Sequence, residues 1–225
     1  LLYNYVWPGG VSHDLPPKFI QKTHEFLDYF LPQIDEYNQV LTTNKIFIER
    51  SADVGVLPLD VGINYGVTGP TLRGSGSTFD LRKDEPYSVY DKFDFDVPVG
   101  EGLMGTVGDC WDRYYVKVLE MKESAKIIRQ ALDGIPSGDV HEVLPKKIRP
   151  PKGEVYSRYE SARGDVGFYI RSAGKNMPDR LKMRSPAYCN LSVLNEISEG
   201  WMMSDVIAAL GSLDIVLGEI DRWHL

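Results

Sequence analysis

Residues 109–132 read DCWDRYYVKVLEMKESAKIIRQAL, and this stretch decides the fold. Trp111, Tyr114, Val118, Met121, Ala125, Ile128 and Leu132 recur alternately at spacings of three and four, which is the period of one helix face. Asp109 suits the cap of that helix, because a carboxylate there accepts from the free amides of the first turn. Gly134 and Pro136 end it. Upstream, Phe19, Thr23, Phe26, Phe30, Ile34, Tyr37 and Leu41 recur at spacings of three and four. They predict a second long helix, entered through Pro16 and Pro17 and kinked at Pro32. Two long amphipathic helices imply antiparallel packing in a bundle. Asn44 to Ser51 predicts a further short helix.

Around this pair the chain changes character. TGPTLRGSGS, residues 68–77, reads as a Gly-rich loop. KFDFDVPV, residues 92–99, alternates Phe93, Phe95 and Val97 with Asp94 and Asp96, as a short extended segment does. Pro136, Pro145, Pro150 and Pro151 mark residues 137–152 as a linker. Beyond it, Glu154 to Glu160, Asp165 to Ser172 and Arg180 to Arg184 are short, β-leaning and separated by Gly turns. They predict a small antiparallel sheet. Ser192 to Glu199 and Met203 to Leu210 read as helices. The expected fold class is therefore α+β, a long-helix bundle core with a small antiparallel sheet subdomain. Its expected parts are a helical body over 1–136, the linker over 137–152, and a sheet with closing helices over 153–225.

Composition narrows the function. The chain has 225 residues, 43% of them hydrophobic and 25% charged, enough to bury a substantial core. Its apolar runs are short, such as Val206 to Leu210, far below the roughly 20 residues that cross a bilayer. The net charge of −7 argues against a nucleic-acid partner. The basic cluster Lys146, Lys147, Arg149 and Lys152 reads as part of a solvated linker. The chain opens on Leu1-Leu2-Tyr3 without Met, as a fragment or processed product does, and no signal peptide is visible there. Cys110 and Cys189 form no CxxC pair, and zinc or an iron–sulfur cluster usually needs four such ligands. No metal is therefore expected on this chain alone.

Familiar motifs fail on inspection. GSGSTF at residues 74–79 lacks the third glycine of a dinucleotide fingerprint, and no GK[ST] follows it. Arg73 beside open amides can hold an anion, but a structural loop is the plainer reading. Asp91, Asp94 and Asp96 lack the glycine and distal Glu of a calcium loop and read as solvated carboxylates. His13, His24, His141 and His224 make no hydrolytic pattern. Two stretches hold more interest. Residues 158–165, RYESARGD, crowd both signs of charge into the sheet region. GSLDIV, residues 211–216, puts Asp214 between Leu213 and Ile215 after an apolar helix. A carboxylate so placed calls for a cation nearby, and a structural ion pair is the plain alternative.

Taken in order, these stretches resemble a known family. WPGGV (7–11), LRGSG (72–76), Tyr90-Asp91 with FDVP (95–98), Glu120-Met121, ESARG (160–164) and LDIVLGEIDR (213–222) resemble the D subunit of proton-pumping NADH:quinone oxidoreductase, respiratory complex I. That family is related to the large subunit of nickel–iron hydrogenases, which hold metal with two CxxC pairs and a final His. Aligned on Asp214, the second pair falls on Val216 and Glu219 and the His on Arg222, so a thiolate-bound metal is lost while the fold is kept.

The resemblance implies a peripheral-arm subunit on the cytoplasmic side of the plasma membrane. Its partners would be an iron–sulfur subunit and a membrane-arm subunit. Quinone would be the substrate, with electrons arriving from a cluster in the neighbouring subunit and no cofactor on this chain alone. Asp214 is the candidate catalytic carboxylate, able to tune or relay charge during quinone reduction. Val216 is the candidate pocket lining and Arg163 the counter-charge to Asp214. Asp214 and Arg163 are thus expected to face one cavity. The resemblance covers the family's carboxy-terminal part, and the amino-terminal half, bearing a His and a Tyr for the headgroup, lies outside this sequence. Leu2 replaces a His found in some relatives, which suggests a lower-potential quinone such as menaquinone. Residues 137–152 are shorter than in mitochondrial relatives. Trp7, Trp201 and Trp223 are expected at apolar contacts with other subunits. The alternatives are a membrane-bound hydrogenase large subunit or its metal-free descendant, and a non-catalytic assembly scaffold.

Overall fold

The computed structural model describes residues 5–145 and 147–221. Leu2, Lys146, Arg222, Trp223 and His224 lie outside them. In chain order come β1 (Val6–Trp7), β2 (Gly10–Val11), α1 (Phe19–Tyr37), α2 (Lys45–Ser51), α3 (Leu59–Asn64), α4 (Pro70–Arg73), α5 (Leu81–Asp84) and α6 (Cys110–Asp133). Then follow β3 (Gly153–Ser161), β4 (Gly164–Ser172), β5 (Arg180–Arg184), α7 (Pro186–Ser192), α8 (Leu194–Ser198), α9 (Met203–Leu213) and α10 (Leu217–Ile220). The mixed architecture is the expected one: long helices with one small antiparallel sheet.

α6 is the spine, packed against α1, α4 and α9. Asp109 caps it as expected, with Oδ1 accepting from the Asp112 amide at 2.8 Å. Its Oδ2 also accepts from the Asp53 amide at 2.8 Å, so the same carboxylate pins the preceding loop. Trp111, Val118, Ala125 and Leu132 of the periodic face are buried. Met121 and Ile128 are two-fifths exposed, because that part of the face borders a cavity instead of a closed core. Trp111 stacks on Tyr115 with ring centroids 4.7 Å apart and donates to the Thr42 carbonyl. Trp111→Ala is accordingly expected to cost about 3–5 kcal/mol in chemical denaturation, and Ile128→Ala clearly less. Equal costs would contradict this division of the face.

α1 begins at Phe19, not at the prolines, because Lys18 at its cap takes a left-handed conformation (φ 64°). The helix runs through Pro32 and passes into a turn of π-helix over Asn38–Thr42. α2 forms as expected, capped by the Asn44 side chain. Asp91, Asp94 and Asp96 are exposed and Phe95 is buried, yet residues 93–99 pair with no strand among the described residues.

The Gly-rich segment 68–77 is not an open loop. α4 lies within it, and residues 68–75 are buried. Glycine makes the packing possible: a Cβ on Gly74 would meet Arg113 Cγ at 2.8 Å, and one on Gly100 would overlap the Gly74 carbonyl. Buried Arg113 ties this region together, donating to the carbonyls of Gly108 and Gly55 and to Ser212 Oγ.

β3, β4 and β5 form the sheet in that order, antiparallel, with Ser161 paired to Gly164 across the turn that carries Ala162 and Arg163. The helical end differs from expectation. α7 starts at Pro186, capped by Ser185 Oγ, so helix begins six residues before Ser192. α9 continues to Leu213. One core cluster joins Val54, Leu57, Val67, Leu72 and Cys110 to Val193, Ile197, Ala209 and Leu213. Residues 140–142 run along the β1–β2 hairpin, with Val11 donating to the Val140 carbonyl and Glu142 to that of Gly9.

Candidate functional site

A cavity of about 560 Å³ opens between α1, α4, α6, the β3–β4 turn and the end of α9. Two close backbone approaches bring its walls together. Gly69 has φ 71°, and a Cβ on it would meet the Arg163 carbonyl at 2.5 Å. Gly164 has φ 124°, and its Cβ would meet Thr68 Oγ1 at 2.5 Å. Asn190, fully buried, accepts from the Thr68 amide and donates to the Arg163 carbonyl. The turn bearing Arg163 is thereby fixed against the entry of α4.

Asp214 caps α9 in a left-handed conformation, φ 53° and ψ 51°. That geometry is uncommon for a residue with a side chain, though Asp and Asn tolerate it best. It turns the chain, and Asp214 lines the cavity opposite Arg163. The two residues, 51 apart in sequence, meet: Arg163 Nη2 lies 3.2 Å from Asp214 Oδ1, and its Nε donates to the Asp214 carbonyl at 3.2 Å. The carboxylate has a second cation that sequence reasoning missed. Lys117 Nζ stands 3.6 Å from Asp214 Oδ2 and donates to the Ser212 carbonyl at 2.9 Å. The signal was present, since Lys117 precedes Met121 by one helical turn and so shares its face.

The floor of the cavity is a buried ionic cluster. Arg73 is 1% exposed and donates from Nε to Glu120 at 2.7 Å and from Nη1 to Glu160 at 2.9 Å, with Asp80 3.4 Å away. Arg82 pairs with Asp80 at 2.6 Å. Burial pushes the Glu160 carboxyl above the usual carboxylate range, against the pull of Arg73. Burial acts on Asp80 in the same direction, but the bonds from Arg82 and the charge of Arg73 outweigh it and hold Asp80 low. Arg73 is thus occupied by carboxylates and does not bind an anion at open amides.

The remaining wall is apolar. Phe26 and Phe30 stack 5.5 Å apart on α1, facing Met121, Ala125 and Ile128 of α6. From Lys117 to Ile128 the α6 wall runs about 16 Å, from charged to apolar. Such a cavity suits an amphiphile with a polar head and an apolar body. Val216 is not among the residues lining it. It lies two residues past Asp214, two-fifths exposed, at the start of α10. Glu219 accepts from Ser185 Oγ at 2.8 Å. Trp7 and Trp201 are 57% and 42% exposed, and Met202, Met203 and Ile207 extend the apolar surface around Trp201. Among the described residues, no helix is long and apolar enough to cross a membrane.

Comparison of the sequence with known proteins identifies relatives along the whole chain. Residues 1–148 and 140–222 match the family described as respiratory-chain NADH dehydrogenase, 49 Kd subunit. A D subunit of the NADH-quinone oxidoreductase of Cytophaga hutchinsonii is 50% identical over 99% of this chain and 59% of its own length. The D subunit of the NADH-quinone oxidoreductase of Chlorobaculum tepidum is 50% identical over 99% of this chain and 56% of its own. That of Chlorobium luteolum is 49% identical, again over 99% and 57%. The chain therefore spans somewhat under three fifths of the length of these relatives.

Proposed function

The chain belongs to the family of the 49 kDa subunit of respiratory-chain NADH dehydrogenase, and on that premise we propose that it builds one wall of a quinone-reduction site in the peripheral arm. The observation that carries this reading is the cavity itself, with Asp214 and Arg163 paired at its charged part and the Phe26–Phe30 stack at its apolar part. A quinone has the matching chemistry: a ring with two hydrogen-bonding oxygens and a hydrophobic tail. Electrons come from an iron–sulfur cluster in a neighbouring subunit, and the redox chemistry belongs to quinone and cluster. This chain orients the headgroup, keeps water out and places charge where electrons arrive. Asp214 acts on the headgroup as the charge-tuning carboxylate, Arg163 holds it, and Val216 borders the path of the ligand.

The partners follow from the same premise: an iron–sulfur subunit, and a membrane-arm subunit that holds the protein on the cytoplasmic face of the membrane. The exposed apolar surface of Trp7 and of Trp201 with Met202, Met203 and Ile207 supports such contacts, since permanent interfaces are apolar at their centres. Within the chain, residues 1–136 act as the helical body, 137–152 as linker, and 153–225 as the part that closes the pocket.

The test is covalent labelling of the complete complex with a photoreactive short-tailed quinone analogue. Label is expected in the segments carrying Arg163 or Asp214 to Val216, and excess quinone should suppress it. Suppressible label found only on other subunits would refute the proposal.

A further inference from the structure

We propose that Lys117 is a further ligand-binding residue of this cavity, supplying with Arg163 one positive charge more than Asp214 neutralises, and that this surplus charge holds an anionic oxygen of the reduced quinone headgroup. The inference rests on the quinone reading above and adds to it the residue that recognises the reduced form.

Geometry carries the argument. Lys117, Arg163 and Asp214 all line the cavity. Two cations face one carboxylate, at 3.6 Å and 3.2 Å. An ammonium has three N–H donors. In Lys117 one goes to the Ser212 carbonyl and one points to Asp214, which leaves one for a ligand. Arg163 uses Nε and one Nη2 hydrogen on Asp214, so its remaining hydrogens are open to the same ligand. A neutral quinone needs no such charge. A quinone that has taken up electrons ahead of protons carries negative oxygen, and a preorganised cation beside it in a partly water-excluded site stabilises that form selectively.

The surroundings of Lys117 make its charge conditional. From its own helix Arg113 and Glu120 stand nearby, α9 presents Ser212 and Asp214, and the β3–β4 turn presents Arg163. Its opposite side borders a second cavity of about 350 Å³ between α2, α6 and α9, where Arg50 is the other charged group among the described residues. Burial pushes the Lys117 ammonium down to about 8; Asp214 resists, and Arg113 and Arg163 add to the depression. The sign is therefore fixed: below about pH 8 the group is charged and the surplus exists, and as pH rises through that value the surplus disappears.

The experiment uses the complete complex carrying Lys117→Arg or Lys117→Met, with NADH-driven reduction of a short-chain quinone followed across pH. NADH-driven ferricyanide reduction, which bypasses the cavity, is the baseline. In the unmodified complex the quinone-to-ferricyanide ratio should fall as pH rises through about 8. Lys117→Arg keeps a charge that does not titrate in this range, so the ratio should hold through the alkaline range. Lys117→Met should lower the ratio at neutral pH about tenfold, the effect of one charge-assisted contact, with no alkaline decline left. Lys117→Arg declining with the original midpoint, or Lys117→Met keeping the original ratio at neutral pH, would overturn the inference. Either result alongside successful quinone labelling near Asp214 defeats the role of Lys117 alone. Absence of that labelling defeats the quinone reading itself.

Discussion

Arg73→Met is expected to destabilise the complete protein by about 3–5 kcal/mol at neutral pH, the usual cost of removing one partner from a buried ion cluster. The guanidinium is 1% exposed and is shared among Asp80, Glu120 and Glu160, of which Asp80 and Glu160 are themselves buried. Met fills much of the same volume, so the cost is electrostatic and not a cavity. After the change Arg82 is the cation left to the cluster among the described residues, and it already serves Asp80 at 2.6 Å. Glu160, whose carboxyl burial already raises, loses the cation that restrains it. The sign of the pH dependence follows. Removing Arg73 raises the folded-state pKa of Glu160 further, so the folded variant takes up a proton there more readily as pH falls. The penalty should thus be largest at neutral and alkaline pH and shrink under mild acid. Urea unfolding of both proteins at two pH values measures it. A cost below about 1 kcal/mol, or one that does not change with pH, would mean the cluster is not the electrostatic unit described.

The same cluster shows what could and could not be read from the residues. Local rules were enough wherever structure is local. The alternating three-and-four spacing located α6, Asp109 announced its cap, and the Gly-separated β-leaning segments gave the three strands nearly to their ends. Local rules failed where a long-range contact decides. Pro186 and Ser185 are ordinary helix-start residues, yet α7 was missed because the preceding strand masked the change of period. Segment 68–77 looks like a plain loop from its glycines, but those glycines serve close packing against α6 and the β3–β4 turn. Arg73, Glu120 and Glu160 sit inside motifs that carry the family resemblance, but nothing in their spacing says that they share one guanidinium. The candidate site was half legible. Asp214 between Leu213 and Ile215 called for a cation, and Arg163 supplies one. Lys117 supplies another from the helix face nearest to hand.

Asp214→Asn is expected to leave the fold intact and to reduce quinone turnover about 100-fold, within the range for loss of a positioned charged group. Three features argue that the fold survives. Asn tolerates the left-handed conformation that Asp214 adopts, its side-chain oxygen can still accept from Arg163, and the bond from Arg163 Nε goes to the backbone carbonyl. The carboxylate is also two-fifths exposed, so the isolated ion pairs contribute little to stability after screening by water. What the change removes is the negative charge between Lys117 and Arg163. Lys117, whose ammonium Asp214 helps to keep charged, then loses its proton more readily, and under the proposed role the carboxylate able to tune or relay charge at the headgroup is gone. Transfer from NADH to ferricyanide, which does not use the cavity, should continue in the intact complex. A purely structural ion pair makes the opposite forecast: Asp214→Asn would lower the unfolding temperature and depress quinone and ferricyanide reduction together. Measuring both activities and thermal stability on one preparation separates the two, because only a functional carboxylate dissociates quinone reduction from the rest.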